Sequence, residues 1–127
     1  MAGIQEKSYD VQTGVIFGAK YDDGVIASGE GEVLELTVLA YDADNDKYLV
    51  CDPTADPAAS AATVPSCLVA LQSGVDATSE DKHVRLLVEG EVDADKVVLK
   101  AGSLSDVHVA LREKGIIIRK TCESSAL

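Results

Sequence analysis

From Glu32 onward, apolar and polar side chains alternate in short runs with the two-residue period of half-buried strands. Leu34, Leu36, Val38 and Ala40 fall on one side of such a pleat, and Glu35 and Thr37 on the other. Asp42-Ala43-Asp44-Asn45-Asp46 interrupts the run with turn-forming residues before Lys47-Tyr48-Leu49-Val50-Cys51 resumes it, which predicts a β-hairpin. Residues 52–65 hold Pro53, Pro57, Pro65 and several alanines. Proline cannot donate to a ladder, so this stretch is expected to be an ordered surface loop. The continuously apolar Cys67-Leu68-Val69-Ala70-Leu71 predicts a short strand buried on both faces. Val84, Leu86, Val88 and Val92 alternate with His83, Arg85, Glu89 and Glu91, the clearest half-buried strand in the chain. Asp93-Ala94-Asp95-Lys96 then predicts a turn before a further strand at Val97-Val98-Leu99.

One helix is expected. Ser103 can cap it, with Asp106 three residues on as the reciprocal member of a capping box. Leu104, Val107, Ala110 and Leu111 make one apolar stripe, Arg112 and Lys114 suit the negative C-terminal end, and Gly115 suits the left-handed position that ends it. Ile116-Ile117-Ile118 begins a last strand, and the tail 121–127 is expected to fray. The first thirty residues keep no steady period. Gly14, Gly18, Gly24, Gly29 and Gly31 punctuate them around Val15-Ile16-Phe17. Pattern alone leaves two readings open, a mobile arm or an edge strand docked on its own domain. No internal repeat is present.

Length and charge narrow the function. A chain of 127 residues suits a single core, and 46% hydrophobic with 26% charged residues is an ordinary globular balance. Against 22 acids stand 11 bases, a net charge of −11 that repels nucleic acid and anionic membranes. Four Tyr, one Phe and no Trp supply few platforms for stacking bases. Neither nucleic acid nor membrane is expected as a partner. Residues 31–65 carry seven acids and one base, so the acidity concentrates there. No apolar run approaches the roughly 18 residues of a membrane span, and no apolar N-terminal core suggests a leader, so synthesis in a reducing cytoplasm is expected. Cys51, Cys67 and Cys122 form no CxxC pair and are expected to be reduced, structural thiols.

Candidate chemistry thins out on inspection. Asp42, Asp44 and Asp46 resemble the opening of a calcium loop, but the sixth and twelfth positions hold Lys47 and Pro53 where Gly and Glu are needed. His83 and His108 lack a second ligand at metal spacing. No serine sits in a GxSxG elbow. Gly14-Val15-Ile16-Phe17-Gly18-Ala19-Lys20 is one residue short of a phosphate loop and lacks the following Ser or Thr. Arg112, Lys114, Arg119 and Lys120 form the one local basic excess, explained by the helix dipole or by an acidic partner. No catalytic, metal or cofactor site is expected, and the protein is not expected to be an enzyme.

The order of motifs resembles the lambda-type head decoration proteins of tailed bacteriophages. The resemblance rests on Lys47-Tyr48-Leu49-Val50-Cys51-Asp52-Pro53-Thr54-Ala55-Asp56 after an apolar strand and turn. It continues in Cys67-Leu68-Val69-Ala70-Leu71, Val75-Asp76-Ala77-Thr78 and Val84-Arg85-Leu86-Leu87-Val88-Glu89-Gly90-Glu91-Val92, and closes on Leu111-Arg112-Glu113-Lys114-Gly115-Ile116. These pieces lie within residues 32–120, and residues 1–30 match least. The resemblance implies a mostly β domain (with minor α+β character) of the β-clip type, with one or two short helices, over residues 31–120. It further implies an N-terminal capsid-binding arm over 1–30 and a tail over 121–127. Such proteins assemble as homotrimers at three-fold and quasi-three-fold sites of expanded heads and cement the major capsid protein against DNA pressure. That places the protein on the outer surface of a virion. Alternating side chains on an extended arm suit strand addition, so Tyr9, Val11, Val15, Ile16 and Phe17 are the candidate anchors. Deleting residues 1–25 is expected to leave the fold intact. A virion-displayed adhesion or carbohydrate-binding module is the alternative. A small trimeric β-clip hydrolase is disfavoured by a C-terminal tail without glycine.

Overall fold

The structure is a computed structural model that describes residues 15–58 and 60–119. Among the described residues there are eight strands: β1 (Val15–Ile26), β2 (Gly31–Val33), β3 (Val38–Asp42), β4 (Lys47–Val50), β5 (Pro65–Val69), β6 (Val75–Ala77), β7 (Lys82–Asp93) and β8 (Ile116–Arg119). One α-helix, α1 (Leu104–Glu113), precedes β8, and 3-10 turns occupy Ala61–Thr63 and Ala94–Lys96. The main sheet is mixed, in the order β1-β4-β3-β5-β7-β8, and a further β1–β7 pairing closes its first five strands into a ring. β2 and β6 form a separate antiparallel pair. The chain is mostly β with one α-helix among the described residues, the class expected from its periodicity.

Closure follows from two long strands. β7 pairs with β1 from Val92↔Val15 to Lys82↔Ile26 along one edge. Along the other edge it meets β5 at Leu86 and Leu87 and, in parallel, β8 at Gly90 to Asp93. Ile26, Leu39, Leu68, Val69, Leu86 and Leu87 are fully buried, and each such side chain contributes about 1.5–3 kcal/mol by leaving water. α1 packs on β5 and β8 through the buried Val107 and Leu111. Its capping box is formed as the sequence predicts, with the Ser103 N–H donating to Asp106 Oδ2 at 2.8 Å, and Gly115 ends it at φ 98°.

Three expectations change. β3 starts at Val38, because residues 34–37 form a turn closed by Thr37 N–H donating to Leu34 O at 3.2 Å, with Leu36 at φ 61°. Leu36 is held there by hydrogen bonds to Val69 O (2.8 Å) and from Val98 N–H (3.0 Å). The turn breaks the pleat, so Leu36 is buried while Leu34 stands 58% exposed. Val97 to Leu99 do not form a strand; Val98 makes a single parallel bridge to Thr37. Lastly, residues 15–26 are a strand of the domain, paired along β7 and ending in the fully buried Ile26. The domain as described therefore starts at Val15 rather than at residue 31, and truncation to residue 25 removes one wall of the ring.

Candidate interaction surface

Past the β5 contact, β1 and β7 continue as a paired ribbon with β8 alongside β7. The β1–β7 register shifts three times between Val15 and Tyr21. Gly18 lies at φ 70° and Gly90 at φ 138°, where a Cβ would stand 3.0 Å from Ala19 Cα, so only glycine admits this approach of the two strands. The irregularity turns Phe17 outward, 72% exposed and opposite Glu91. Around it, Lys20 pairs with Glu89 at 3.6 Å and Arg119 with Glu91 at 2.8 Å. Farther along, the Arg85 guanidinium lies 5.4 Å from the Tyr21 ring centroid. These exposed ion pairs contribute at most about 1 kcal/mol each and orient side chains more than they hold the ribbon together.

Of the candidate anchors, Tyr9 and Val11 lie outside the described residues. Val15 is half-buried opposite Val92, Ile16 belongs to β1, and Phe17 presents its ring to solvent. Sequence pattern missed Tyr21 and Leu34 as exposed apolar positions, because no feature of either segment announces the bulges or the Leu36 turn. Leu34 borders a notch with Glu30, Glu32, Thr37, Val50 and Val98. Glu30 there accepts the Val50 N–H at 2.7 Å.

The acidic turn is occupied by its own hydrogen bonds. Asp42 accepts from Asp44 N–H (3.2 Å) and Asn45 Nδ2 (2.8 Å), and Asp46 accepts from the Tyr41 hydroxyl (2.6 Å). That bond to Asp46 holds the Tyr41 phenol above its ordinary pKa. The Tyr41 and Tyr48 rings meet at 5.2 Å. Burial raises the Tyr48 phenol, reinforced by nearby Cys67, Asp22 and Asp46. Asp52 caps its loop by accepting from both Thr54 N–H (3.0 Å) and Oγ1 (2.6 Å), which lowers its pKa. Asp81 is lowered by Lys47 Nζ at 2.8 Å and the Ser28 N–H.

His83 and His108 are exposed, the latter with Nδ1 3.3 Å from Leu104 O. Cys51 and Cys67 are buried free thiols, pushed up to about 11 and about 12 chiefly by burial, far from the thiolate a nucleophile needs. Cys122 and Lys120 lie outside the described residues. Among the described residues no three His, Cys, Asp or Glu side chains gather as a metal site, and no helix is long and apolar enough to cross a membrane. Compared with models of known protein families and with curated proteins, the chain matches none.

Proposed function

We infer that the protein is a non-enzymatic decoration protein of a tailed-phage head, acting as a homotrimer that cements expanded capsid shells at three-fold and quasi-three-fold sites. The observation that carries the reading is the order of the motifs that resemble the lambda-type family. They fall in sequence on β4 and the Asp52 turn, on β5, on β6, on β7, and across the α1–β8 junction. A mostly β domain whose β1 strand displays an exposed Phe17 supports it further. Phe17 on that strand is an apolar anchor displayed on a main-chain scaffold, suited to a pocket in a capsid subunit. Trimeric presentation multiplies a weak single contact through effective concentration. The net charge of −11 keeps such a protein soluble at high copy number.

The test mixes purified protein with expanded and unexpanded heads of a candidate phage and follows pelleting, alongside sedimentation velocity of the free protein. Saturable binding to expanded heads alone, with a trimeric species, is expected. Absence of binding to either form overturns the reading, and glycan-array binding in its place would establish the adhesion alternative.

A further inference from the structure

The strand track beside β1 is interrupted. β4 begins at Lys47 and meets β1 at one parallel position, Ile26↔Tyr48, where the Ala27 N–H donates to Tyr48 O at 3.0 Å. Asp46, the next residue back, turns away at φ 54°. From Asp22 to Val25, no strand lies along the outer edge of β1 among the described residues, although the β1–β7 register from Tyr21 to Ile26 is free of bulges. On the two-residue alternation, Asp23 and Val25 direct their N–H and C=O groups to the same edge as Ala27. The Asp23 N–H is taken by Asp22 Oδ1 at 2.8 Å. Val25 N–H and Asp23 C=O remain as a donor and an acceptor flanking Gly24, the pair that one residue of a parallel guest strand engages.

The surroundings select the guest. A depression beside this edge is lined by Asp22, Gly24, Tyr41, Asp46, Tyr48 and His83. Gly24 lies against the Tyr48 ring and the buried Leu86, since a Cβ built there would meet Leu86 Cδ1 at 2.7 Å and Tyr48 Cε1 at 2.8 Å. A guest residue opposite Gly24 shares its face and so reaches the same ring. Asp22 accepts the Asp23 N–H and Asp46 the Tyr41 hydroxyl, and neither carboxylate is ion-paired among the described residues. An aromatic face between two such carboxylates complements an ammonium or guanidinium group.

We propose that the β1 edge between Asp22 and Val25 docks a short extended segment of a partner protein, with an arginine or lysine opposite Gly24 seated on Tyr48 between Asp22 and Asp46. This surface lies farther along β1 than Phe17, and the proposal stands whether or not the protein decorates capsids.

The test is an amide and aromatic NMR titration of the full chain with three probes: acetyl-Val-Arg-Val-amide, the same peptide with citrulline for arginine, and the same peptide with an N-methylated arginine nitrogen. The arginine peptide is expected to shift Val25, Gly24 and the Tyr48 ring saturably. Loss of one exposed charge contact or one hydrogen bond corresponds to roughly fivefold in affinity, so the citrulline and N-methyl peptides each bind about fivefold more weakly. Asp46→Asn is expected to weaken the arginine peptide and leave the citrulline peptide unchanged. Equal binding of the arginine and N-methyl peptides, shifts spread over the other carboxylates, or no saturation overturns the proposal. Concentration-dependent Val25 shifts in the free protein also overturn it, because a second copy then fills the edge.

Discussion

Gly24→Ala tests directly whether β1 belongs to the core. A Cβ on Gly24 would stand 2.7 Å from Leu86 Cδ1, with Tyr48 Cε1 and Cδ1 at 2.8 and 3.0 Å. Leu86 is fully buried and the Tyr48 ring lies against Tyr41, tilted by 50° with centroids 5.2 Å apart, so neither side chain can withdraw freely. Forcing a methyl group into such a site costs about 1–3 kcal/mol. Replacing glycine also restricts the unfolded chain, which returns about 0.4–1 kcal/mol. At the middle of these ranges the clash wins by about 1.3 kcal/mol, or roughly 5 °C in Tm for a domain of this size. Thermal melting by circular dichroism measures the loss. A cycle with Leu86→Val is expected to be non-additive by at least about 0.5 kcal/mol, because trimming Leu86 makes room for the new methyl. A Gly24→Ala protein as stable as the parent, or one strictly additive with Leu86→Val, would show that β1 does not pack on Leu86. Residues 15–26 would then be an arm.

Other consequences are equally open to measurement. Deleting residues 1–25 removes most of the strand that closes the ring, so the truncated protein is expected to lose its cooperative melting transition. The Asp52, Asp76 and Asp81 carboxyls are held below their ordinary range, mainly by hydrogen bonds from Thr54, Thr78 and Lys47. Their folded pKa values lie below the unfolded ones, so this stabilisation is complete above about pH 5 and fades as pH falls from about 4 through the folded values. Tm measured against pH should drop in that acid window, and less steeply in Asp81→Asn. Cys51 and Cys67, buried and raised to about 11 and about 12, are expected to resist iodoacetamide at pH 8 in the native protein and to react after denaturation, as peptide mapping would show.

Where a local rule decided the outcome, the sequence was readable. The β3–β4 hairpin, β5, the alternation of β7, and α1 with its capping box and terminal glycine all follow from side-chain period and cap chemistry. Tertiary pairing decided the rest. Leu36 occupies a left-handed turn because Val69 O and Val98 N–H clamp its backbone, and no local signal in Leu34-Glu35-Leu36 announces partners so distant in sequence. The glycines of β1 suggest a flexible arm when read alone. Paired with β7, Gly18 instead takes a positive φ in a bulged ribbon and Gly24 makes room for Leu86 and Tyr48. The candidate surface is half legible for the same reason: the pattern marks Phe17 as an apolar position, but its exposure depends on bulges set by two strands together.

The central claim is tested most directly by pelleting the parent protein and Phe17→Ser with expanded phage heads across a concentration series. Phe17 is 72% exposed, so the substitution should leave melting unchanged. Loss of an aromatic anchor from an interface typically costs 2 kcal/mol or more, so head affinity is expected to fall at least about thirtyfold while the parent saturates the heads. Equal binding by both proteins would contradict the role of the ribbon, and binding by neither would contradict decoration itself.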